Sequence, residues 1–113
     1  MAGIFHLLTS EQWRAAQAAG SYAPESLRTE GFVHFSLIDQ VAGTANTRFR
    51  DSVDLMVIEV LPQELSQPVV LEDLYGMGQE FPHVYGPIPV SAVVAVHALG
   101  RDEEGNFTFA PGG

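Results

Sequence analysis

The stretch VDLMVIEV, residues 53–60, decides how the rest of the chain is read. Its apolar residues fall on both faces of an extended backbone and several are β-branched, which predicts a buried central strand. Upstream of it, strand and helix patterns alternate. GIFHLL (3–8) predicts a strand with Ile4, His6 and Leu8 on one face and Phe5 and Leu7 on the other. Thr9 and Gln12 have capping-box spacing, so a helix is expected from Ser10 to Ala19, with Gly20 as its stop. SYAPESLRTE (21–30) reads as a loop broken by Pro24. GFVHFS (31–36) reads as a second strand with Phe32, His34 and Ser36 on one side. Ser36 is then expected to cap a second helix, whose apolar stripe runs through Ile38, Val41, Ala42, Ala45 and Phe49.

Downstream, LPQEL (61–65) predicts a short helical turn and PVVLE (68–72) a strand. Residues 73–89 hold three glycines and three prolines and read as a long irregular connection. SAVVAVHAL (91–99) is the last main strand, RDEEGN (101–106) a turn into a short arm at Phe107–Phe109, and PGG (111–113) a frayed end. Strands cluster in the second half, so the fold class is α+β rather than a doubly wound parallel sheet. One domain spans 1–113, with its core in 3–99 and residues 100–113 as a hairpin-like arm or tail.

Charge narrows the function. Fourteen acids face five bases, all of them arginine, for a net charge of −9. Such a chain repels the phosphate backbone that supplies most nucleic-acid affinity, so no nucleic-acid partner is expected. Cysteine is absent, which excludes disulfides and thiolate chemistry. No apolar run approaches the roughly 18 residues of a membrane span, and the first residues lack a signal-peptide pattern. A cytoplasmic protein without a membrane partner is the expectation.

The candidates for chemistry are histidines. His34 precedes Ser36 at an expected helix start, where free N–H groups and a partial positive charge favour a phosphate or carboxylate. The plainer alternative makes Ser36 only a cap and His34 a half-buried, satisfied residue. His83 lies in EFPHVYG (80–86), where Pro82 and Gly86 fix the directions of His83 and Tyr85. Its plainer alternative has Phe81 and Tyr85 filling the core. Glu72, at a strand end before the irregular connection, is the expected acid or base. His6 among large apolar neighbours reads as structural unless a ligand reaches it, and His97 as structural or solvent-facing. GMG (76–78) lacks the strand-then-helix context of a dinucleotide fingerprint. No local His-x-His or His-Glu-x-x-His pattern occurs, and no metal ligands are assigned.

IFHLLTSEQWRAAQAAGSY, EGFVHFSLIDQV and EFPHVYGPIPVSAVVAV together resemble a small bacterial family, the domain of unknown function 952, over about residues 3–99. That resemblance implies a fold similar to the ADP-ribosyltransferase superfamily: two small β-sheets around a cleft, with two helices in the N-terminal half. It also implies a first-strand residue at the position of His6 and a second strand, VHFS, like that of the RNA 2′-phosphotransferases. The transferase glutamate has no motif here, and Glu72 or Glu80 stands in for it. Three functions follow. In the first, the cleft takes NAD, ADP-ribose or another phosphorylated nucleotide. His34, His83 and Glu72 then do chemistry of an ADP-ribosyl- or phosphotransferase kind, and His6, Ser36, Gln40 and Tyr85 hold the ligand. The second is a non-catalytic protein-interaction domain. The third is a metal site on three histidines.

Overall fold

The computed structural model describes residues 2–111, so Gly112 and Gly113 of the expected frayed end lie outside the described residues. Strand β1 (Ile4–Thr9) leads directly into helix α1 (Ser10–Ala19). The capping box forms as its spacing predicts: the Gln12 N–H donates to Thr9 Oγ1 at 3.2 Å and the Thr9 N–H donates to Gln12 Oε1 at 2.8 Å. Gly20, at φ +81°, ends the helix, its N–H donating to the Ala16 carbonyl.

The stretch 53–60 contributes β4 (Leu55–Val60), the centre of an antiparallel sheet ordered β1-β4-β8, with β8 spanning Val93–Ala98. Sequence alternation in β1 and β4 sorts side chains into two cores. Ile4, Leu8, Ile58 and Val60 join one core with Val33, Phe35, Val84 and Ile88. Phe5, Leu7 and Val57 join the other with Val41 and Ala45 of helix α3 (Val41–Arg48) and with Phe107. Burying such a side chain fully is worth roughly 1.5–3 kcal/mol, so a strand filled on both faces is an anchor for everything around it.

A second antiparallel sheet is ordered β3-β6-β5, from β3 (Val33–His34), β6 (Phe81–Val84) and β5 (Val69–Glu72). Just past β3, Phe5 and Ser36 exchange backbone hydrogen bonds of 2.9 and 2.7 Å, stitching this sheet to β1. That bridge corrects the expectation for Ser36. It is extended backbone rather than a helix cap, and its hydroxyl lies 3.3 Å from that of Thr44. The helical region starts with a 3-10 turn at Ile38–Gln40, and the Leu37 N–H is capped by Gln40 Oε1 at 2.9 Å. Ile38 is consequently more than half exposed, while Val41 and Ala45 are buried as the stripe requires.

Two segments expected to be irregular are ordered. Residues 21–30 hold β2 (Ser21–Tyr22) and helix α2 (Glu25–Thr29), which begins directly after Pro24. Residues 73–89 contain β6 and β7 (Ile88–Pro89), the latter paired with β2. Pro82 sits inside the central strand of its sheet, a position that proline's missing N–H normally forbids. Its carbonyl instead accepts the Phe35 N–H at 2.9 Å. The C-terminal arm is packed down: β9 (Gly100–Arg101) pairs with β10 (Phe107–Thr108), and Asn46 of α3 both donates to and accepts from the Phe107 backbone.

Ile58 and Val96 face each other in register, but Ile58 is fully buried and Val96 is half exposed. Ile58→Ala is expected to cost roughly 2–5 kcal/mol by cavity formation, and Val96→Ala about 0.5 kcal/mol. Urea denaturation measures both, and equal costs would contradict the two-core arrangement.

Candidate functional site

A cleft of about 840 Å³ opens where the two three-stranded sheets meet, and His6, His34 and His83 all line it. Phe5, Phe35 and Ser36 contribute from the junction, Glu30 stands just past the end of α2, α3 supplies Thr44 and Arg48, and the loop after β5 supplies Tyr75. That loop is folded on Asp73, whose carboxylate accepts the N–H groups of Met77 and Gly78 at 2.8 and 2.9 Å. Gly76 and Gly78 adopt φ +64° and +84°, values that side-chain-bearing residues rarely take.

His6 is only 9% exposed, with both ring nitrogens engaged inside the protein. Its Nδ1–H donates to the His34 carbonyl at 2.5 Å, and its Nε2 accepts from the Tyr22 hydroxyl at 2.7 Å. Burial lowers its pKa to about 4, while the bond to the His34 carbonyl opposes that shift. His6 therefore holds the cleft together as a neutral residue. Tyr22, also buried, is pushed up to about 12 and keeps its proton.

His34 and His83 face each other directly across β3 and β6, ring centres 5.6 Å apart. Each is held by its own carboxylate, and each carboxylate by its own tyrosine. On one side, His34 Nε2–H donates to Glu30 Oε1 at 2.9 Å, and the Tyr75 hydroxyl donates to Glu30 Oε2. On the other, His83 Nδ1–H donates to Glu72 Oε1 at 2.9 Å, and the Tyr85 hydroxyl donates to the same oxygen at 2.5 Å. The tyrosine bonds first, and the histidine bonds second, hold both carboxyls below their usual range. Tyr75 is pushed up to about 12 by burial and by Glu30, and Tyr85 is raised by Glu72. Phe32 stacks on His83 with centroids 4.0 Å apart, and Tyr75 lies nearly parallel to His34.

The expected site residues thus take different places. His6, His34, His83, Ser36 and Gln40 line the cleft, but Glu72 and Tyr85 do not. Those two stand behind His83 and orient it. Gln40 is a clamp: its Oε1 caps Leu37 while its Nε2 donates to the Glu80 carbonyl at 2.8 Å and to Gln79 Oε1 at 3.2 Å. A phosphate seat on a helix starting at Ser36 is not formed, because that backbone is paired with Phe5. Sequence reasoning missed Glu30, Tyr75 and Arg48. Glu30 carried a signal, since it lies four residues before His34; Tyr75 and Arg48 carried none. His97 is held by Glu59 at 2.8 Å. Among the described residues no group of three or more His, Cys, Asp or Glu is placed to hold a metal ion. Nor, among them, is any helix long and apolar enough to cross a membrane.

The class these features define is an α+β domain of small antiparallel sheets with a histidine-lined cleft. The chain belongs to the family described as Protein of unknown function (DUF952), whose model matches residues 7–96. It is similar to protein CC0527 from Caulobacter crescentus. The crystal structure of that protein is 31% identical with a TM-score of 0.81, covering 94% of this chain and 93% of that one. Its solution NMR structure is 32% identical with a TM-score of 0.75, covering 94% and 91%. No functionally curated protein matches the sequence.

Two predictions follow from these hydrogen bonds. Between pH 6.5 and about 4 the unfolded chain protonates at position 6 and the folded protein does not, so His6-linked stability falls as pH falls. The full effect is about 3 kcal/mol, present above the upper limit and gone below the lower. The lowered carboxyls Glu30 and Glu72 act at lower pH still, below the usual carboxylate range. Urea midpoints across this window should show a slope that His6→Gln flattens, and an unchanged slope would contradict a neutral, buried His6. The second concerns tautomers. Nitrogen NMR of the imidazoles should find His34 protonated at Nε2 and His83 at Nδ1; one common tautomer would contradict the two carboxylate contacts.

Proposed function

We propose that the cleft binds a small phosphorylated nucleotide, with NAD and ADP-ribose the first ligands to try, and that His34 and His83 are its acid–base pair. The observation that carries this reading is the pairing of the two imidazoles at one cleft, each oriented by its own carboxylate. The cleft volume lies in the range of small-ligand sites. Arg48 is the cation in its lining and takes the phosphate. Tyr75 and Phe81 offer ring faces for a base. The ADP-ribosyltransferase-like fold belongs to the same proposal: small sheets flank the cleft, and a first-strand histidine stands at its floor.

A second reading, a non-catalytic interaction domain, is favoured by the exposure of Leu71, Leu74, Tyr75 and Met77 in one stretch. Calorimetry or ligand-observed NMR with NAD, ADP-ribose and AMP separates the two. Saturable binding is expected, weakened roughly tenfold by Arg48→Gln through loss of a charge-assisted contact. Absence of binding at millimolar ligand would exclude the nucleotide reading. If, in addition, His34→Ala and His83→Ala mainly destabilise the fold, the interaction reading takes its place.

A further inference from the structure

We infer that the bond this cleft breaks is a phosphodiester in a small nucleotide, rather than the nucleotide's N-glycosidic bond. This deepens the nucleotide reading and rests on it. The carboxylates leave one ring nitrogen over on each imidazole. His34 Nδ1 and His83 Nε2 have no hydrogen-bond partner among the described residues. No buried side-chain nitrogen or oxygen there lacks a partner, so both atoms reach solvent. His83 is 1% exposed, and that sliver of surface includes Nε2 at the cleft wall. The site therefore presents two imidazoles in opposite tautomers, each with a bare nitrogen, 5.6 Å apart between ring centres. One added proton makes one of them an acid and leaves the other a base.

Phosphodiester hydrolysis needs one proton taken and one given. The oxygen of water forms a bond to phosphorus while its proton passes to His83 Nε2. The opposite P–O bond breaks, its electron pair goes to the leaving alkoxide oxygen, and that oxygen takes the proton on His34 Nδ1. The product is a phosphomonoester and an alcohol; proton exchange with solvent resets the pair, and water is the only co-reactant. Cleavage of a nicotinamide N-glycoside uses such a pair poorly. The departing ring leaves neutral and needs no proton, and the oxocarbenium-like centre calls for a free carboxylate. Glu30, the carboxylate beside the imidazoles in the cleft, is already held by His34 and Tyr75.

Charge selects the same substrate. The cleft lining carries one cation, Arg48, against Glu25, Glu30 and Asp39. Arg48 acts electrostatically on Glu30 and Tyr75, which puts it at the His34 end. Arg48 attracts either anion, but the surplus carboxylates repel a doubly charged monoester more than a singly charged diester. The product is therefore held less well than the substrate.

The test uses the purified chain with bis(p-nitrophenyl) phosphate, p-nitrophenyl phosphate, a cyclic adenosine monophosphate and NAD. Turnover of the diester and the cyclic nucleotide is expected, without turnover of the monoester and without nicotinamide release. His83→Asn and His34→Asn should each lower kcat by roughly a hundredfold or more. Because His83 is buried, the more exposed His34 is the variant that decides if His83→Asn fails to fold. Glu72→Gln should shift the pH profile while leaving KM in place, and Arg48→Gln should raise KM. Binding of the cyclic nucleotide by calorimetry without turnover, or nicotinamide release from NAD, would overturn this inference and leave the nucleotide reading standing. Failure of every nucleotide to bind would overturn both.

Discussion

The hydrogen bonds of His6 are the constraint on which the rest of the structure depends. Strand β1 is buried on both faces, so a polar residue within it is tolerated only if its polar atoms find partners. His6 finds them in two other elements: Tyr22 on β2 and the carbonyl of His34 on β3. One imidazole thereby ties together three segments distant in sequence, and its neutrality is the condition for doing so. The carbonyl it holds belongs to the residue whose side chain faces the cleft. His6, which reads as structural among its large apolar neighbours, is the brace that fixes where the other two stand.

From that brace the site follows by strand geometry. His34 and His83 are cross-strand partners, and Glu72 lies diagonally from His83 on the neighbouring strand, where side chains on one face remain within reach. A strand pairing thus delivers two oriented imidazoles without any loop having to place them. The loop holding Tyr75 adds the outer contact to Glu30, and the His34 side is the more open and the His83 side the more buried. In a protein of net charge −9, the cleft sets the cation Arg48 near two imidazoles and among Glu25, Glu30 and Asp39.

Much of the fold was legible where local physics is strong. The capping box of α1 and the glycine that ends it are satisfied within a few residues, and β4 shows its burial in its own composition. Legibility failed where a tertiary partner outweighed a local preference. Ser36 has the chemistry of a cap, but pairing with Phe5 joins two sheets and takes precedence. Pro82 argues against a central strand, yet its carbonyl and its neighbours' backbone groups complete the ladder. Helix α2 is too short to show a periodic stripe. Membership of the family was legible in the quoted segments and is matched over residues 7–96.

The sequence by itself determined the α+β class, the central place of residues 53–60, the first helix with both its ends, and which histidines deserved scrutiny. Those follow from periodicity, capping and composition, all of which act between near neighbours. Only the tertiary structure decided that three histidines share one cleft, that His6 is a neutral brace, and that Glu72 and Tyr85 work from behind His83. Side-chain roles of this kind depend on strand register and on the direction of single hydrogen bonds. A shift of one residue in pairing would send each of these side chains to the opposite face, and nothing in the local sequence records which pairing wins.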